Sequence, residues 1–178
     1  MTSQSLRRLN DAEHSATWDR FDAAFDFRPS LIDFPGIREP VPSVTWSLDA
    51  LGDDPHSRRR DLLIDAVQDG LTACTPLGAS LLILNWQHTC YALRPDLPPS
   101  DMFLPRVLEG RSREGWPLSP CPDGDYYIFL SEDLSLGSFG HPWENSLCLF
   151  GAPLLNEVAD AVHRLLPTVL RRNGAPVT

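Results

Sequence analysis

The stretch DGDYYIFLSEDLSLGSFGHPWENSLCLF, residues 123 to 150, decides the fold. Asp123-Gly124-Asp125 is a turn signal, and Tyr126 to Leu130 behind it is aromatic and aliphatic throughout, the composition of a strand. A second turn around Ser131 to Asp133 leads into Leu134 to Phe139. Gly140-His141-Pro142 then breaks the chain, and Ser146 to Phe150 forms a third strand. Three short strands with brief connections make a meander, so the sheet is antiparallel.

Upstream, Ser43 to Leu48 alternates apolar and hydroxyl side chains and predicts a half-buried strand. Ser80 to Leu93 is the most β-like stretch; one long bulged strand and a hairpin turning near Gln87 both fit its pattern. A helix is predicted over Glu13 to Phe27, where Trp18, Phe21 and Phe25 recur at helical spacing. A second runs from Ser57, a plausible N-cap, to Cys74. A third follows Gly151 on the repeat Leu155, Val158, Val162, Leu165 and Val169. Pro167 should kink or restart it, Arg171 and Arg172 should sit on its last turn, and Gly174 should stop it. Leu31 to Pro42, punctuated by proline, should run extended over the surface. The expectation is an α+β fold: one domain over residues 1–178, mainly an antiparallel sheet of about five strands with an N-terminal, a middle and a C-terminal helix. Residues 1–12 are expected to be a flexible N-terminus and 94–123 a long irregular loop.

Composition narrows the chemistry. The 178 residues carry 15 basic and 24 acidic side chains, a formal charge of -9, and every basic residue is arginine. Without lysine there is no Schiff-base amine, no pyridoxal-phosphate anchor and no P-loop cation. Acid excess also argues against duplex nucleic acid and anionic membranes, which are bound through clustered positive charge. Four widely spaced cysteines with no C-x-x-C pair read as free thiols of a reducing compartment. The longest aliphatic run, Leu81 to Leu84, is too short to span a bilayer, so a soluble cytoplasmic protein is expected.

The chemistry left rests on histidine, carboxylate or thiol. His14, His56 and His163 fall in polar segments and read as surface. His88 follows Trp86 in a strongly β segment, and His141 sits in a rigid turn before Pro142-Trp143-Glu144. His141, His88 and Glu144 are therefore the candidate acid, base and orienting groups. Trp86, Asp125, Tyr127 and Trp143 are candidate ligand-binding residues of an aromatic pocket between the two turns. The two histidines with Glu144 and Asp125 could in principle hold a divalent ion, but their spacing matches no metal motif, so no metal is assigned and any cofactor is left open. Cys90 lies two strand positions from His88, about 7 Å by strand rise, beyond direct contact; a small core residue is the better reading. The expected partner is a small polar molecule in that pocket. The alternative is a basic protein, held by an acidic binding module of immunity or antitoxin type.

Four motifs keep a recognisable order: Pro42-Ser43-Val44-Thr45-Trp46, Asn85-Trp86-Gln87-His88-Thr89-Cys90-Tyr91, Asp123 to Leu130, and Phe139-Gly140-His141-Pro142-Trp143-Glu144. Together they resemble the bacterial family known as domain of unknown function 2716. The resemblance implies no activity, ligand or catalytic residue, but its motifs coincide with the turns singled out above. One departure is Asn85, where the family commonly has aspartate.

Overall fold

A computed structural model describes residues 4–54, 56–99 and 115–178. Among them nine strands form one sheet, in the order β1-β4-β3-β5-β6-β7-β2-β8-β9, with every neighbouring pair antiparallel. In chain order these are β1 (Leu6–Arg8), helix α1 (Asp11–Phe25), β2 (Ser43–Ser47), α2 (Arg58–Cys74), β3 (Leu81–Asn85), β4 (Tyr91–Leu93), β5 (Tyr127–Ser131), β6 (Gly137–His141), β7 (Ser146–Phe150), α3 (Ala152–Leu165), β8 (Val169–Arg172) and β9 (Ala175–Pro176). The α+β class holds, with nine strands instead of about five.

Both faces of the sheet are covered, which is why its central strands read as unbroken apolar runs. Because successive strand residues point to opposite faces, Leu81 and Ile83, Tyr127 and Phe129, and Leu147 and Leu149 join the core under α2 and α3. Leu82 and Leu84, Tyr126 and Ile128, and Cys148 and Phe150 join a second core under Phe21 and Phe25 of α1. The irregular segment 26–42 continues that second layer, as a strap across the sheet. None of the described helices is long and apolar enough to cross a membrane.

Several sequence expectations are corrected. Leu6–Arg8 is not a flexible end but strand β1, paired with β4, and Asn10 closes a capping box with Glu13 that starts α1 two residues early. Ser57 does not cap α2: it has φ 56°, and the Asp54 carboxylate takes the Arg59 N–H instead. The 80–93 ambiguity resolves as a hairpin, with Gln87 at φ 62° in its turn. After Pro167 the chain forms no helix. β8 pairs with β2 and turns through Asn173 and Gly174, both at positive φ, into β9. The described parts of 94–123 carry neither helix nor strand; the remainder of that predicted loop lies outside the described residues.

Candidate functional site

Strand parity sorts the predicted site residues. Tyr126, not Tyr127, lies on the α1 side, enclosed by rings: Trp86 at 5.5 Å, His141 at 4.9 Å and Trp143 at 5.2 Å between centroids, all tilted or edge-on. Tyr127 emerges on the other face, beside a cavity of about 40 Å³ with Arg60, Cys121 and Asp123. It does not join the other candidates.

His141 ends β6 and is completely buried. Its Nδ1 accepts the Glu144 N–H at 3.1 Å, so in the neutral ring the proton sits on Nε2. Among the described residues that Nε2 has no hydrogen-bond partner. The strap covers it: a Cβ placed on Gly36, whose φ is +80°, would lie 3.1 Å from Nε2, and the Phe34 ring stands edge-on at 5.0 Å. Burial lowers the His141 pKa to about 4; Glu144 opposes that shift and Arg171 adds to it.

Glu144 is not poised toward His141. Its carboxylate takes a bidentate pair from Arg171, at 2.6 and 2.7 Å, and a hydrogen bond from the Ser146 hydroxyl at 2.6 Å. Burial works against its charge, yet these bonds hold its pKa below the ordinary value. Arg171 Nε also meets Glu39 Oε1 at 2.9 Å, and Glu39 accepts from the Thr45 hydroxyl at 2.7 Å. This triad of buried Glu39 with half-buried Arg171 and Glu144 ties the strap, β8 and the β6–β7 turn together. Two side chains that matter here, Arg171 and Glu39, were not among the sequence candidates.

His88 stands apart on the β3–β4 turn. Its Nε2 is 3.1 Å from Asp125 Oδ2, with the imidazole 64% and the carboxylate 17% exposed. Burial pushes the Asp125 carboxyl up, against the Tyr126 N–H and His88. An open depression of about 590 Å³ lies beside this turn, lined by Asp11, His14, Gln87, His88 and Thr89. So the seven candidates separate into a His88 and Asp125 pair, an aromatic group around Tyr126 and His141, an ion-paired Glu144, and Tyr127 on the far face. Among the described residues no three histidine, cysteine, aspartate or glutamate side chains are grouped to hold a metal ion.

All four cysteines are free thiols. Cys90 is buried, with Sγ against the carbonyls of Asn85 and His88, and burial raises its pKa. Burial raises Cys121 to about 11 and also pushes Cys148 up. None of these three is a poised thiolate.

The family described as "Protein of unknown function (DUF2716)" matches residues 8–155. The chain belongs to this family. The DUF2716 match runs from β1 into α3, so Arg171 lies beyond it. Among curated proteins, the "Uncharacterized protein YxiI" of Bacillus subtilis (strain 168) is 34% identical over 91 residues, covering 51% of this chain and 47% of that protein. The chain thus aligns with about half the length of that relative. No solved structure matches significantly.

Proposed function

We propose that this DUF2716 protein is a binding module for a basic protein. The carrying observation is where the acid excess sits. Along α1, Asp11, Asp19 and Asp22 are solvent-exposed and make no ion pair among the described residues. Residues 11–38, the layer over one sheet face, hold six acidic side chains against three arginines. Such a field accelerates encounter with a cationic partner and disfavours anionic ones. The enclosed His141 and the ion-paired Glu144 are not open catalytic groups on that face. The test is retention of purified cationic proteins on the immobilised chain at low and high ionic strength. Binding that weakens as salt rises is expected; no binding at low salt sinks the reading.

A second reading, a small polar ligand, is favoured by His88, which lines the open depression beside α1 and pairs with Asp125. A metabolite panel should then raise the unfolding temperature of the wild type and not of His88→Ala. A panel that shifts neither protein removes it.

A further inference from the structure

The strap puts large apolar side chains into water. Leu31 is 62% exposed, Ile32 81% and Phe34 45%, and Trp143, whose ring like that of Phe34 stands edge-on to His141, is 39% exposed. Isolated exposed leucines need no explanation, but a run of this kind beside an aromatic is how binding surfaces are built.

This segment is also fixed in place. The Arg28 N–H bonds the Gly36 carbonyl at 2.8 Å and the Arg38 N–H bonds the Phe25 carbonyl at 2.6 Å, closing the loop at its base. The Ser30 hydroxyl accepts the N–H groups of Ile32 and Asp33, and the Tyr126 hydroxyl holds Ser30 from below. A closed loop of this type presents its apolar tip with a smaller backbone ordering cost at the moment of binding.

We infer that the strap tip, Leu31, Ile32 and Phe34 with Trp143, is the docking surface, and that its occupant is a basic protein offering an amphipathic helix, apolar on the face that meets the tip and cationic around it. The inference rests on the basic-partner reading and adds the place and the chemistry. Charge complementarity selects the occupant. The tip is flanked by Asp33 and leads back into the acidic α1, while of the two arginines on the strap Arg28 is paired with Asp26 and Arg38 turns its guanidinium to the Ala24 carbonyl of α1. A second copy of the chain would bring the same acid excess against itself. An apolar center with a charged rim is also the usual distribution of binding energy.

The probe is a synthetic helical peptide with leucines on one face and lysines on the other, titrated against the wild type, the double variant Leu31→Asp/Ile32→Asp, and Leu77→Asp. Leu77 is 90% exposed at the α2–β3 turn and serves as an apolar-to-acid control away from the strap. The wild type should bind with an affinity that falls as salt rises. The double variant should bind about tenfold or more weakly despite its two added negative charges, while Leu77→Asp should match the wild type. Equal binding by wild type and double variant overturns the strap as the surface and leaves the basic-partner reading standing. Absence of salt-dependent binding by all three overturns both. Thermal unfolding of each variant confirms that loss of binding is not loss of fold, since the substituted side chains lie mostly in water.

Discussion

The Tyr126 hydroxyl meets Ser30 twice, accepting its N–H at 2.9 Å and donating to its carbonyl at 3.1 Å. This is a hydrogen-bonded tie between the strap and the aromatic group around Tyr126. Tyr126→Phe keeps the ring and deletes both bonds. Two lost bonds at a partly exposed backbone should cost about 1–2 kcal/mol, since water can replace part of them. Urea unfolding measures the loss. Hydrogen exchange at Ser30 should quicken in the variant, and unchanged protection there would show that the strap is held by other contacts.

His141 predicts a pH slope. Its folded pKa, about 4, lies below the ordinary 6.5, so folding favours the neutral ring. The unfolded chain therefore binds the extra proton between those values. The stability contribution is fully present above about pH 6.5 and is lost as pH falls toward 4, by up to about 3 kcal/mol. Glu144 and Arg171 face the same region, and their pairing holds the Glu144 pKa below its ordinary value. His141→Gln should flatten the slope between pH 6.5 and 4.5 in urea titrations. A variant with the wild-type slope would assign the dependence to other groups.

Arg171 neutralises two carboxylates at once, buried Glu39 and half-buried Glu144. Removing it in Arg171→Met strands Glu39 and Glu144, and breaking a buried pair from one side typically costs about 3–5 kcal/mol. The expected loss is therefore large at neutral pH. It should shrink as pH falls and the stranded carboxyls accept protons. In the wild type the sign is opposite: the depressed Glu144 contributes stability above the ordinary carboxyl pKa, and that is lost as pH drops through its folded value. Adding Glu39→Gln and Glu144→Gln to Arg171→Met should restore much of the stability. A triple variant no better than the single one would mean that lost packing, not stranded charge, dominates.

What the sequence revealed and what it hid follow from local physics. The meander 123–150 and the three helices were legible because period and turn signals act within a few residues. The C-terminal hairpin was hidden by an accident of spacing, since Val169 continues the helical repeat of Val158, Val162 and Leu165 past Pro167. The better signal was Asn173-Gly174, the residue pair that best supplies two successive positive φ values for a tight hairpin turn. Missing it also concealed Arg171 as a partner of Glu144. The choice between Tyr126 and Tyr127 turned on parity, because a shift of one residue sends a side chain to the opposite face. Leu6–Arg8 offered only three residues, too few for any pattern. Its pairing with β4 is a long-range fact.

Gly70 is where two rules about one residue compete. It sits inside α2, where alanine is preferred over glycine by about 1 kcal/mol. Its α-carbon, however, faces α3: a Cβ there would collide with Val158 Cγ1 and come within 3.2 Å of Leu154 Cδ1. Val158 and Leu154 are buried and packed, so they yield little, and overpacking of this kind costs about 1–3 kcal/mol. The steric cost should exceed the propensity gain, making Gly70→Ala net destabilising by urea unfolding. Combining it with Val158→Ala separates the two effects. The double variant should be more stable than the sum of the single changes, because the new methyl fills space that Val158 has vacated. Strict additivity would show that α2 and α3 move apart to admit the methyl, and that their close approach is not what requires glycine.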